Sequence, residues 1–111
     1  MNAIDEIKET YTLEDFKEIA DRGCQSGVCR KHIYYGDTIS FFEKYEDQVI
    51  DYITDCYDDE FLVDVFRDSH ANIDTYKNNL VWCFIELIAM EVDEEHRYDY
   101  AIANGAIIEY A

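Results

Sequence analysis

Acidic side chains recur every four residues through the middle of this chain, and that spacing determines what chemistry they could do. The longest row consists of Glu43, Asp47, Asp51, Asp55 and Asp59. Residues four apart lie on neighbouring turns of a helix, so like charges at this spacing lower its stability. Four residues of helix rise about 6 Å, which is comparable with the through-space separation of successive phosphates on a nucleic-acid strand. The row therefore favours a surface on which a nucleic-acid-binding protein would find carboxylates in place of phosphates.

Further acidic residues extend this surface beyond the row. Each pair of acids four residues apart lowers the stability of a helix by about 0.2–0.5 kcal/mol. Summed over all such pairs in the chain, the repulsion costs about 2–4 kcal/mol at low salt. A typical protein has a stability of roughly 5–15 kcal/mol. Folding gains nothing from this arrangement, so we interpret it as a binding surface for a basic partner. The alternative is an ordinary solvated helix face. The predicted partner-binding residues are Glu43, Asp47, Asp51, Asp55, Asp58, Asp59, Glu60, Asp64, Asp68, Glu91 and Glu95.

A cluster of two thiols and an imidazole is the second candidate for chemistry. Cys24, Cys29 and His32 have the donor types that zinc prefers, but they would need a fourth ligand. A second closely spaced cysteine pair is absent, and the thiols of a chain without an export signal are expected to be reduced. We therefore predict a turn with two packed thiols and no cofactor or metal. Cys56 and Cys83 lie in apolar helical patterns and are predicted to be core residues.

Catalytic motifs do not occur in the sequence. It contains no phosphate-binding glycine loop, no nucleophile elbow and no His-Glu-x-x-His pair. The acids at 58–60 lack the loop pattern of a calcium site. Glu86, inside an apolar helical pattern, is interpreted as a partly buried carboxylate instead of a catalytic acid. We predict that the protein is not an enzyme.

The bulk composition describes a folded and strongly acidic protein. It has 111 residues with 26 acids against 9 Lys and Arg, for a net charge of −17, and 49% of its residues are hydrophobic. That apolar content exceeds what a disordered acidic tail carries, and the length fits one domain spanning 1–111. The charge repels nucleic acid and anionic membranes and favours basic surfaces. With neither a secretory signal nor a membrane-length apolar run, the protein is expected to be cytoplasmic.

Hydrophobic periodicity predicts a mainly α, small helical bundle. A short helix is expected within residues 2–10, and Thr12 begins a capping box that starts the next helix. Asp37 or Thr38 is expected to cap a long helix that breaks near 57–59. The intervening glycine-containing stretch allows a short extended segment near 28–35.

Two further helices are expected in the second half of the chain. A short one runs through four apolar residues: Phe61, Leu62, Val65 and Phe66. Asn72 then caps a helix whose apolar residues lie on nearly all sides, which is typical of a central buried element. The region 98–111 fits either a helix interrupted at Gly105 or a short strand.

Two stretches carry a resemblance to known sequences. Gly-Cys-x-x-Gly-Val-Cys begins at Gly23, and Ile-Tyr-Tyr-x-Asp-Thr-x-x-Phe-Phe-x-x-Tyr begins at Ile33. Together they resemble an uncharacterised family of small bacteriophage-encoded proteins, and the run from Leu80 to Glu86 is similar to its later helix. The resemblance implies a phage or mobile-element origin. It thereby implies an anti-CRISPR or anti-restriction inhibitor that acts on a nuclease or CRISPR effector in the host cytoplasm.

Two other functions remain open. The protein is alternatively a non-enzymatic, homo-oligomeric accessory protein whose acidity serves solubility, since its aromatic content permits a homodimer. It is otherwise a small metal-binding module that uses the cysteine and histidine cluster. Competition with DNA, and steep weakening by salt, would distinguish mimicry from both.

Overall fold

Five helices make up the described part of the chain in the computed structural model. The structure describes residues 2–22 and 35–103, with side-chain environments for 2–21 and 37–95. The helices are α1 (Ala3–Thr10), α2 (Leu13–Arg22), α3 (Tyr35–Cys56), α4 (Asp59–Asp68) and α5 (Ile73–Ala103). No strand occurs within these residues, so the predicted small helical bundle is confirmed. The extended segment expected near 28–35 lies outside the described residues except for Tyr35, which begins α3.

Local side-chain caps fix the starts of four helices. Asn2 accepts from the N–H of Asp5 at 2.8 Å before α1. Thr12 and Asp15 exchange hydrogen bonds with each other's backbone N–H at 3.1 Å, which confirms the capping box before α2. Asp58 accepts from the N–H of Phe61 at 3.1 Å before α4. Asn72 accepts from the N–H of Thr75 at 3.0 Å before α5, as expected.

The start of α3 differs from its prediction. The helix begins at Tyr35, two residues before Asp37. Thr38 does not cap it, because its side chain is fully buried and its hydroxyl donates a 2.6 Å hydrogen bond to Oδ1 of Asn78 on α5. The same oxygen accepts from the indole of Trp82 at 3.0 Å. The threonine therefore joins α3 to α5 through a buried polar contact.

The central helix is α5, which packs against α2, α3 and α4, while α1 packs against α3. Its buried hydrophobic side chains form one broad face, and Trp82, Cys83, Leu87 and Val92 are partly buried beside it; the buried ones are Leu80, Val81, Phe84, Ile85, Ile88 and Ala89. The ring of Phe84 lies 5.3 Å from that of Tyr52 in an edge-on contact. This burial confirms the prediction of a central helix in this part of the sequence.

One predicted core residue is at the surface. Cys83 is half-buried and packs against the core, but Cys56 is exposed. Cys56 is the last residue of α3, where the chain turns towards α4. Helical periodicity indicates which face a residue occupies, but it does not indicate whether a neighbouring element still covers that face at the end of the helix.

Candidate partner-binding surface

All eleven predicted partner-binding acids are exposed. They lie on three elements: Glu43, Asp47, Asp51 and Asp55 on α3; Asp58, Asp59, Glu60, Asp64 and Asp68 at or within α4; and Glu91 and Glu95 on α5. Exposure alone does not distinguish a binding surface from a solvated face. The contacts of each carboxylate are therefore what separates acids that serve the fold from acids that do not.

The second half of α3 carries three acids without local partners. Asp47, Asp51 and Asp55 make no ion pair or side-chain hydrogen bond within the part of the chain that the structure describes. On a regular helix, each step of four residues rises about 6 Å and turns about 40°. The three carboxylates therefore follow a shallow spiral over about 12 Å on one side of α3.

The first member of the row is separated from the others. Backbone angles at Tyr45 (φ −124°, ψ 28°) depart from helical values and kink α3 between Glu43 and Asp47. The carboxylate of Glu43 also forms a 3.2 Å ion pair with Lys77 on α5. Lys44 follows Glu43 directly in the sequence, but its ammonium group lies 3.9 Å from the carboxylate of Glu6 on α1.

The last member of the predicted row lies on a different helix. Asp55 belongs to α3 and Asp59 begins α4, with a turn between them. Asp58, in that turn, is the N-cap of α4, and such a cap contributes about 1 kcal/mol. Asp59 and Glu60 occupy the first turn of α4, where the helix dipole favours negative charge. The prediction that five acids form a single row on one helix is therefore wrong. Asp58, Asp59 and Glu60 instead stabilise the start of α4.

Two other predicted acids have neighbours. Asp64 lies 3.6 Å from Arg67 one turn later, in an exposed pair that contributes little to stability. Glu91 accepts a 2.7 Å hydrogen bond from the hydroxyl of Tyr52. Burial and this contact raise the pKa of Tyr52 above its usual range, so the tyrosine stays a donor and orients the carboxylate.

Metal and catalytic chemistry receive no support from the described side chains. Among them, no group of three or more His, Cys, Asp or Glu is placed to hold a metal ion. Cys24, Cys29 and His32 lie outside the described residues. Glu86 is half-buried, as predicted. Among the described residues, no helix has the length and apolarity to cross a membrane.

A cleft between α1 and α3 does not extend the acidic surface. It has a volume of about 290 Å³ and a floor that includes Ile7 and Phe41. Its charged lining consists of Glu6, Asp37 and Lys44, so two carboxylates face one ammonium group. The surplus of negative charge is therefore small there compared with the outer face of α3.

An exposed apolar patch was missed by the sequence reasoning. Phe66 was expected among the residues that line the short helix, yet it is 39% exposed, and its neighbour Val63 is 57% exposed. Ile73, at the start of α5, is 53% exposed. The available signal was that apolar residues occupy half of α4, on more than one face, so that a single neighbouring helix could not cover them all.

Fold and surface together define a small, mainly helical protein whose described helices carry acidic outer faces. The chain belongs to a family described as Domain of unknown function (DUF7222), whose model matches residues 2–97. No curated protein and no solved structure matches the chain.

Proposed function

We propose that this protein is a non-enzymatic inhibitor of a basic, nucleic-acid-binding protein. Its carboxylates would occupy the place where that partner binds phosphates. The observation that supports this most directly is the set of exposed acids on α3, Asp47, Asp51 and Asp55, which have no partner within the described residues. Their mutual repulsion lowers the stability of the fold, and a cationic groove would convert it into attraction.

The strong negative charge of this protein indicates that its partner has a basic surface. A net charge of −17 on 111 residues repels nucleic acid and anionic membranes alike. Lys and Arg side chains arranged to contact phosphates would be attracted to it and steered by the same field. Such binding weakens as salt screens the charges, and nucleic acid competes for the same groove.

The class of partner follows from the resemblance to bacteriophage-encoded proteins. A phage protein of this kind would act in the host cytoplasm against a defence nuclease, such as a restriction enzyme or a CRISPR effector. These proteins contact the phosphate backbone of nucleic acid as well as its bases. A surface of carboxylates could replace the phosphates in the backbone contacts, which do not depend on the base sequence.

Charge reversal on α3 tests the proposal. Affinity capture from a bacterial lysate at low and high salt identifies the partner, and a labelled DNA duplex then measures competition for it. The variant Asp47→Lys, Asp51→Lys, Asp55→Lys should lose binding while its far-ultraviolet circular dichroism remains helical.

The matched control reverses three exposed acids on α1 and α2, outside the predicted surface: Asp5→Lys, Glu9→Lys and Glu14→Lys. Its total charge equals that of the α3 variant, and it should retain most of the binding. Full binding by the α3 variant, or a partner that DNA does not displace, would contradict the proposal.

A further inference from the structure

The short helix α4 is only partly covered by the rest of the protein. None of its ten residues is buried, although Phe61, Leu62 and Val65 pack against the core with part of their surface. A helix of this length is marginal in water and depends on tertiary contacts. The packing of α4 against α5 therefore leaves apolar surface that an additional contact could bury.

Exposed apolar side chains of α4 and α5 lie on either side of the contact between Phe66 and the half-buried Tyr76. Val63 and Phe66 are three residues apart and share a face of α4. The ring of Phe66 lies 5.2 Å from that of Tyr76, edge-on. Tyr76 is in turn three residues from Ile73 on α5. We call these four residues the apolar edge: Val63, Phe66, Ile73 and Tyr76. Contiguous apolar surface of this kind marks interaction sites more often than scattered exposed residues do.

Carboxylates stand at both ends of the apolar edge. Asp59 and Glu60 lie one turn before Val63 on α4. At the other end, Glu46 of α3 is close enough to Tyr76 to add to the rise in its pKa that burial causes.

The two basic residues beside the apolar edge already have acidic partners. Lys77 forms its ion pair with Glu43, and Arg67 lies near Asp64. The apolar edge is thus a strip of apolar side chains with carboxylates at both of its ends.

We infer that the apolar edge anchors a basic amphipathic helix of the partner protein, with apolar side chains at helical spacing and Lys or Arg beside them. Apolar anchors give binding energy at the centre of an interface, and opposite charges around them set orientation and rate. A second copy of this chain would bring the same carboxylates against each other, which disfavours it. This assignment rests on the proposed function and adds to it the chemistry of the partner.

A model peptide tests the occupant directly. A fluorescent peptide of leucine and lysine with helical periodicity is titrated into the full chain, and its anisotropy is followed. A peptide of the same composition in scrambled order, with leucines on all sides, is the reference. The periodic peptide should bind at least about tenfold more tightly than the scrambled one.

Substitutions in the chain assign that difference to the apolar edge. The double variant Val63→Ser, Ile73→Ser should weaken binding of the periodic peptide by about tenfold and leave the scrambled peptide unaffected. The matched control replaces Leu13 and Met90 by Ser, which are 56% and 52% exposed and belong to α2 and to a later part of α5. It should bind like the wild type. Val63→Thr, Ile73→Thr, which keeps the branched shape, serves if the serine variant is not helical.

Each outcome separates the inference from the proposed function. Equal binding of the two peptides by wild type and all variants would show charge attraction alone, and the inference would be wrong while mimicry could still hold. The inference would also be wrong if the α3 variant no longer competed with DNA for the captured partner while Val63→Ser, Ile73→Ser still bound that partner fully. Mimicry would still hold in that case. A dimer in light scattering that Val63→Ser, Ile73→Ser dissociates would also overturn the inference, because the edge would then be a self-interface.

Discussion

Asp51→Lys should make the protein more stable and at the same time weaken its binding. Asp51 is exposed on α3, with Asp47 one turn before it and Asp55 one turn after it. It therefore takes part in two repulsive pairs. Its carboxylate has no partner within the described residues that the substitution would remove.

The expected gain follows from counting pairs. The change removes two like-charge pairs and creates two opposite-charge pairs, each contributing about 0.2–0.5 kcal/mol at low salt. The sum is about 0.8–2 kcal/mol. The lower half of this range is more realistic, because a lysine placed one turn before Asp55 has the weaker of the two orientations for a helical ion pair. For a domain of this size the gain corresponds to a rise in melting temperature of about 3–8 °C.

Urea and thermal unfolding measure this change, and Asp74→Lys is its control. That variant alters the net charge by the same amount, but the residues four positions away are His70 and Asn78, which are not acidic. Asp74 also occupies the first turn of α5, where a negative charge is favourable. Asp74→Lys should therefore lower the free energy of unfolding while Asp51→Lys raises it.

Two results would refute the reasoning. Equal stabilisation by both substitutions would mean that total charge matters and the row does not. A less stable Asp51→Lys protein would mean that this carboxylate contributes to the fold. If instead Asp51→Lys is more stable and also loses the captured partner, folding and binding make opposite demands on the same residue.

Three further measurements examine the fold and its thiols. Moderate salt should raise the wild-type melting temperature, because it screens repulsion among exposed acids; a flat or falling value would contradict this. Thr38→Val should lower the free energy of unfolding in urea by about 0.5–1.5 kcal/mol, because the buried Oδ1 of Asn78 loses one of its two donors, while Thr38→Ser should cost less. Thiol labelling near neutral pH, read by peptide mass spectrometry, should modify exposed Cys56 before Cys83. Burial, Glu86 and Cys56 raise the pKa of Cys83 to about 11, so its labelling should accelerate as pH rises towards that value, because only the thiolate reacts. Equal rates at the two cysteines would contradict this last expectation.

Features with local causes could be predicted from the sequence. The caps at Thr12 and Asn72 depend on hydrogen bonds to residues three positions away, so the sequence around each cap contains all the information required. The central position of α5 followed from apolar residues on most of its sides. The exposure of the eleven acids followed from their place opposite the apolar residues of the same helices.

Features with tertiary causes could not be predicted in this way. The side chain of Thr38 is held by Asn78, forty residues further along the chain, and the ion pair of Glu43 is with Lys77, thirty-four residues away. No local pattern contains these contacts. The exposure of Cys56 likewise depends on where the packing of α3 against its neighbours ends, and no local pattern marks the kink at Tyr45.

The placement of the acids is better evidence for binding than their number. High negative charge that served only to keep the protein dispersed could be spread at any spacing, and alternation with lysine would lower the cost to the helix. Asp58 shows what an acid retained for folding looks like, because it caps α4 and its replacement by Ala should cost about 1 kcal/mol. Asp51 has the opposite character, since its reversal should stabilise the helix that carries it. An acid whose removal helps the fold must be retained for some other reason, and a cationic partner supplies one that acts on spacing as well as on charge.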